Sequence, residues 1–212
     1  MNVSHPIRGF VPTLDAPVLE VLAATTRGLS GREVHRLAGV GSVRGIQLVL
    51  ARLVRQGLVR ADEHSSMTLY VANRSHLAWP ALEALVDLRG RLLQQLREAI
   101  AGWAIVPLHV SVFGSAARRD GDENSDIDVL IVRPDAVEEG HEAWEAQIDA
   151  LRTGVAGWTG NRCQALVVDR GRLSELLAAR DPIVGAWLRD GILIHGQSLQ
   201  AVVDDLAVAA RS

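Results

Sequence analysis

Apolar and polar positions follow two different rhythms along the chain. In the first part the rhythm is helical. Apolar residues at 18, 19, 21 and 22 predict a helix over Val18–Ala24. Ser30 with Glu33 three residues later forms a capping box, which predicts a short helix over Glu33–Ala38. After the turn Gly39-Val40-Gly41-Ser42, whose serine is a further cap, Ile46, Val49, Leu50, Leu53 and Val54 recur at helical spacing. They predict a third helix over Val43–Gln56, stopped by Gly57. Two β runs, Leu58–Arg60 and Thr68–Val71, flank a polar tip at 61–66 and predict a hairpin. Pro80 opens a long helix expected over Ala81–Trp103. Its leucines spread over more than one face, so it should contact two surfaces, either between domains or with its counterpart in a homodimer.

The second part begins with strand rhythm. Leu108–Phe113, Ile127–Val132 and Arg162–Val168 read as three strands. Helices are expected over Glu138–Thr153 and Ser174–Arg180, with a turn at Trp158–Asn161. Asp181-Pro182 opens a closing helix that runs through Asp190-Gly191 into a short last strand, and a final helix is expected over Gln197–Arg211. The fold class is mixed α/β (α+β). The expected organisation is a helical domain over residues 1–76, a linking helix over 77–104, and a domain over 105–212 with a small mixed sheet flanked by helices.

Composition narrows the setting. The 212 residues are 48% apolar and 22% charged, enough for real cores and too balanced for wholesale disorder. No apolar run approaches the roughly 18 residues of a membrane span, the first residues lack signal-peptide character, and the one cysteine, Cys163, excludes an intramolecular disulfide. A cytoplasmic protein without a membrane partner is expected. Every basic side chain is arginine; residues 1–100 carry a net +4 and residues 101–212 a net −7. Such asymmetry points to two domains with different partners.

The candidate chemistry lies in the stretch LHVSVFGSAARRDGDENSDIDVLIV, residues 108–132. Asp126 and Asp128 are two apart at the start of a strand, so both side chains point to one face while Ile127 points into a core. Two converging carboxylates suit a hard divalent ion such as Mg2+, which commonly brings nucleotide phosphates as further ligands. Gly114 permits a tight turn after the first strand, and Ser115 is expected as the N-cap of a helix starting at Ala116, whose N-terminus would attract phosphate.

Gly114-Ser115, ten intervening residues, then Asp126-Ile127-Asp128 resembles the signature of the nucleotidyltransferase superfamily that includes DNA polymerase β, in its minimal nucleotidyltransferase branch. Phe113, Ala117-Arg118, Ser125 and the apolar run Val129–Val132 extend the resemblance, and so does the closing segment through Asp190-Gly191. A typical member has glycine after the arginine, where this chain has Arg119. The resemblance implies a nucleoside triphosphate substrate, one or two Mg2+ ions on Asp126 and Asp128, and a nucleotide site made of Gly114, Ser115, Arg118 and Ser125. It implies transfer of a nucleoside monophosphate to a hydroxyl of a protein, an RNA or a small molecule, and an antitoxin-like role in which a toxin is the protein modified.

One position departs from the pattern. Many members carry a third carboxylate on the third strand, where the turn before it aligns neutral Gln164. Asp169 is five residues further on and on the opposite strand face, and reads as a strand-end turn residue. Asp122 and Glu123 are weaker substitutes.

The three N-terminal helices and the hairpin resemble a winged helix-turn-helix domain. In such a domain the third helix enters the DNA major groove, which here would offer Ser42, Arg44, Gln47, Arg52 and Arg55, with Arg60 and His64 on the wing. Leu48 among these arginines also suits a surface that packs on protein. Two functions therefore stand side by side: a Mg-dependent nucleotidyltransferase coupled to a DNA-binding winged helix, and a DNA-binding transcriptional regulator whose degenerate nucleotidyltransferase fold senses nucleotide or dimerises. Cys163 reads as a buried small residue, and the histidines show no zinc spacing.

Overall fold

The structure is a computed structural model and describes residues 1–64 and 67–209. Contacts divide the chain into two compact units, residues 5–89 and residues 1–4 together with everything from 90 onward.

The first unit runs α1 (Pro6–Phe10), α2 (Asp15–Ala23), β1 (Leu29–Ser30), α3 (Gly31–Ala38), α4 (Val43–Arg55), β2 (Val59–His64), β3 (Met67–Ala72) and α5 (Trp79–Val86). The capping box forms as the spacing requires: Ser30 accepts from the Glu33 amide and Glu33 from the Ser30 amide. Gly39 ends α3 in the left-handed region, and Ser42 caps α4 by accepting from Gly45 N at 3.0 Å. The strands make an antiparallel sheet ordered β1-β3-β2. β2 and β3 extend further toward the tip than the sequence suggested, and Ser65 and Ser66 of that tip lie outside the described residues. The core gathers Ile7, Leu19, Leu22, Val34, Ile46, Leu50, Leu53 and Trp79. The short helix α1 joins this core through Ile7, which is fully buried.

The helix expected over 81–103 is two helices. α5 stops at Val86 and Asp87 separates it from α6 (Leu88–Ala101). The break has a packing cause. Trp79, Leu82, Leu85 and Val86 serve the core of the first unit, whereas Leu92, Leu96 and Ile100 serve that of the second. The wide leucine stripe is thus two narrower stripes for two cores.

The second unit is built on a four-stranded sheet, β4 (His109–Phe113), β5 (Ile127–Val132), β6 (Cys163–Val168) and β7 (Ile192–Gly196), ordered β6-β5-β4-β7. β4 lies antiparallel to β5 and β7, and β6 is parallel to β5. Alternation along β5 splits its residues between two cores. Ile127, Val129 and Ile131 pack with α6 and with α8 (Glu142–Thr159). Leu130 and Val132 pack with α9 (Arg170–Ala178), α10 (Pro182–Asp190) and α11 (Leu199–Ala209). α8 begins later than expected because Gly140 turns through a left-handed conformation, φ +79°. It also absorbs Trp158 and Thr159 from the expected turn: the Thr159 hydroxyl donates to Val155 O, and Gly160, φ +73°, ends the helix instead. α7 (Gly114–Arg118) bridges β4 to the loop before β5.

Candidate active site

β5 places the carboxylates. Asp126 immediately precedes the strand, Ile127 is buried, and Asp128 is half-buried on the sheet face shared with Leu130 and Val132. Burial first, and then the neighbouring Asp126 carboxylate, push the Asp128 carboxyl above its ordinary range; Arg118 opposes them.

The β4–β5 register sets Phe113 opposite Asp128, which brings the Gly114–Ser115 turn against the carboxylate. Gly114 has φ +66°, and any Cβ there would fall on the Asp128 carboxylate oxygen. Glycine is therefore required twice over, for the backbone conformation and for the close approach. α7 starts at Gly114 itself, with Phe113 in the N-cap position and no side-chain cap. Ser115 is thus inside the helix rather than its cap, because the strand runs straight into the helical turn at the glycine. Its hydroxyl makes no hydrogen bond among the described residues, and it lines a crevice of about 10 Å3 with Gly121, Ser125 and Asp126. Gly121 is tightly hemmed: a Cβ would lie 2.8 Å from Ser115 Oγ and 3.0 Å from Ser125 Oγ.

Ser125 is committed to its loop. Its hydroxyl donates to Asp122 Oδ1 at 2.9 Å and accepts from the Asp122 amide at 2.9 Å. These bonds, with one from the Asn124 amide, hold the Asp122 carboxyl below its usual range. Asn161, 4% exposed, anchors the same loop by donating to Glu123 O and Ser125 O. Arg118 is exposed; it meets Asp120 at 2.9 Å and Asp190 at 3.8 Å. Arg119 ends α7 with φ +64°, a conformation that suits glycine, which explains why glycine is typical there.

The parallel pairing of β5 with β6 settles the place of Gln164. Its register partner is Asp128, and residues opposite one another share a face. The amide stands where a third acid would complete the set, and it is exposed. Among the described residues no three His, Cys, Asp or Glu side chains gather as metal ligands. Asp169 is the N-cap of α9, accepting from Arg172 N at 2.7 Å and pairing with Arg133 at 2.9 Å. Its carboxyl is held low first by that amide, with Arg133 adding to the effect. Cys163 is buried, which pushes its thiol up to about 11 and makes it inert.

In the first unit the outward face of α4 carries Arg44, Gln47, Leu48 and Arg55, all exposed, and Arg60 is exposed on β2. Two of the residues expected to read DNA have other work. Arg52 forms an ion pair with Asp15 of α2, and the Ser42 hydroxyl caps α4. Asp190, Gly121 and Asn161 were not singled out as site residues in the sequence. Only the Asp190-Gly191 pair and the small residue in a polar loop gave a local hint of them.

Two strand-borne carboxylates thus lie beside a glycine–serine turn. Residues 93–175 match the model of the nucleotidyltransferase domain family. The match spans 83 of the 212 residues. Among solved structures, a toxin–antitoxin with AMP-PNP is 20% identical, covering 57% of this chain and 82% of that one with a TM-score of 0.33. The toxin–antitoxin MntA–HpeT in a mutant form is 17% identical, covering 57% and 81% with a TM-score of 0.32. A candidate nucleotidyltransferase from Sulfolobus solfataricus is 22% identical, covering 51% and 83% with a TM-score of 0.31. No curated protein matches. Among the described residues, no single helix is long and apolar enough to cross a membrane.

Proposed function

We propose that the second unit transfers a nucleoside monophosphate from a nucleoside triphosphate to a hydroxyl of a protein, an RNA or a small molecule, with Mg2+ held by Asp126 and Asp128. The observation that carries this reading is the pair of carboxylates packed against the Gly114–Ser115 turn. The donor set fits the ion. Two like-charged oxygen ligands, one of them partly desolvated, are relieved by a hard divalent cation, which completes its shell with water and phosphate oxygens. Neutral Gln164 beside them suits one ion better than two. When bound, Mg2+ neutralises charge on the phosphates and favours in-line attack at the α phosphorus.

The residues of the chain then divide the work. The Ser115 hydroxyl donates to a phosphate oxygen. Arg118, exposed and paired most closely with the exposed Asp120, exchanges Asp120 for the charge that develops on the departing pyrophosphate. The new bond joins the acceptor oxygen to the α phosphorus, and the bond to the bridging oxygen of pyrophosphate breaks. Gln164 can accept a hydrogen bond from the attacking hydroxyl but cannot hold its proton, which passes to solvent or substrate; turnover is slow as a result. A toxin protein is one acceptor that fits this scheme. For the first unit, the exposed Arg44, Gln47, Arg55 and Arg60 support a winged helix that binds DNA through α4 and the hairpin.

A second reading, a DNA-binding regulator with a degenerate nucleotidyltransferase fold, is favoured by one observation, Gln164 in the register position of Asp128. Calorimetric titration of ATP, GTP, CTP and UTP, with and without Mg2+, separates the two. Mg2+-dependent binding that vanishes in Asp126→Asn, Asp128→Asn, together with pyrophosphate release by the wild type, supports the enzyme; binding without release leaves a regulator that senses nucleotide, and absence of binding under every condition leaves one that dimerises. A thermal melt checks folding, because Asp128→Asn removes a burial cost and a like-charge repulsion and should raise the metal-free melting temperature.

A further inference from the structure

A second cavity in this unit is lined by groups whose chemistry nothing else in the fold uses. It measures about 150 Å3 and lies where β4 and β7 meet α10 and the start of α11. His109, Ser111, Trp187, Leu193, Leu199 and Gln200 line it, and none of its lining residues is charged.

Three observations bear on its occupant. Trp187 is 2% exposed, and its indole Nε1–H is buried with no acceptor among the described residues. A buried donor without an acceptor is costly, and a ligand atom would satisfy it. Next, a buried hydrogen-bond chain ends at the cavity. His109 Nδ1 lies 2.7 Å from the Gln197 carbonyl, so that nitrogen carries the proton and donates. His109 Nε2 is then an acceptor, and the Ser111 hydroxyl donates to it at 2.8 Å. Burial depresses the His109 pKa, so the ring stays neutral. The oxygen lone pairs of Ser111 are left to accept. Finally, Leu188 and Leu193 at the rim are 38% and 43% exposed, large apolar side chains in water at the mouth of a cavity. Ser198, whose hydroxyl accepts from the Ala201 amide, and Gln200, whose amide donates to Asp204, also line the cavity and are engaged there. The cavity therefore offers the Trp187 donor and the Ser111 acceptor among apolar walls, with no charge. A space of roughly this size holds a single six-membered ring.

We propose that this cavity binds a small uncharged aromatic ring bearing a hydroxyl group, the phenol class. The ligand oxygen accepts from Trp187 Nε1–H, its hydroxyl hydrogen is directed to Ser111 Oγ, and the ring packs between Trp187, Leu193 and Leu199. The proposal stands apart from nucleotide transfer and needs no metal.

The test uses the full chain labelled with 15N. Its five tryptophans give five indole signals. That of Trp187 is assigned through its edge contact with Phe113, ring centroids 6.0 Å apart, and by loss of the signal in Trp187→Phe. Phenol should shift this signal saturably with a Kd at or below about 1 mM. Benzoate, of the same shape but charged, should bind at least tenfold more weakly, since the lining offers no cation. Leu193→Phe, at an exposed rim position that leaves the core intact, should narrow the mouth and weaken phenol at least threefold. A Trp187 signal that stays still while others move, equal binding of benzoate, or an unchanged Kd in Leu193→Phe would each overturn the assignment.

Discussion

Replacing Gly114 by alanine tests the geometry of the carboxylate site most directly. Gly114 has φ +66°, where a Cβ costs about 1–2 kcal/mol. The new methyl would also fall on one Asp128 carboxylate oxygen and lie 3.1 Å from Cγ and 3.4 Å from Cβ. Asp128 must then turn away, and an off-rotamer side chain costs a further ~0.5–1.5 kcal/mol. Loss of chain entropy in the unfolded alanine variant returns ~0.4–1 kcal/mol. The net expectation is a destabilisation of about 1–2 kcal/mol. Gly160→Ala supplies the control, since Gly160 has φ +73° and open space around its would-be Cβ. It bears the backbone cost without the collision. Urea unfolding in the absence of metal should therefore show Gly114→Ala less stable than Gly160→Ala. Calorimetry should show Mg-dependent nucleotide affinity reduced by about 10–100-fold, as when a ligand's support is removed, in Gly114→Ala alone. Equal stability losses together with unchanged nucleotide affinity in Gly114→Ala would refute the idea that this glycine exists to admit Asp128.

Three further outcomes follow from the same coordinates. Arg119→Gly should stabilise the chain by about 0.5–1 kcal/mol in urea unfolding, because Arg119 sits at φ +64° and glycine relieves that strain at some cost in entropy. Asp169→Ala should cost at least about 1 kcal/mol through the lost cap of α9, with a further loss from the Arg133 pair, and leave nucleotide affinity untouched; a loss of affinity would restore Asp169 as a site acid. His109 has its pKa depressed by burial, so below about pH 6.5 the unfolded chain takes up a proton that the folded chain refuses. Stability should fall with acidification through that window, by at most about 1.4 kcal/mol per pH unit, and His109→Gln should flatten the slope measured between pH 7 and 5.5.

The parts of the fold that were legible in the sequence share a local cause. Ser30 and Glu33 cap one helix by spacing alone, and Asp126 and Asp128 share a face because strands alternate. Gly114 was read as a turn residue, but its second role, making room for Asp128, exists only once β4 pairs with β5. The features that were missed depend on partners far along the chain. Arg52 looked like a groove residue until α2 brought Asp15 to it. The single long helix looked continuous because its leucines belong to two cores that sequence periodicity cannot separate. Asp190 meets Arg118 only when α10 packs on α7, and Asn161 becomes the anchor of the Asp122–Ser125 loop only when β6 lies beside β5. Serine favours the cap, but Ser115 lies inside the helix because the strand enters it one residue early.

The charges around Arg118 bear on how a nucleotide could enter. Asp120 and Asp190 flank the guanidinium, and Asp128 with Asp126 lies close enough to act on it or on each other electrostatically. Three carboxylates, Asp120, Asp190 and Asp128, thus act on this arginine, and Arg189 is paired to Asp190. A free triphosphate carries several negative charges and would meet net repulsion here, since like charges at such range disfavour one another even in a partly solvated site. On the proposed reading Mg2+ accompanies the nucleotide and offsets this repulsion. The same balance makes Gln164 intelligible without invoking decay. A third carboxylate beside Asp128 would deepen the repulsion in the metal-free state, whereas an amide in that position adds no further charge at the cost of a base. On this reading the site trades speed of turnover for an apo state that folds without metal, and nucleotide binding without Mg2+ should be undetectable.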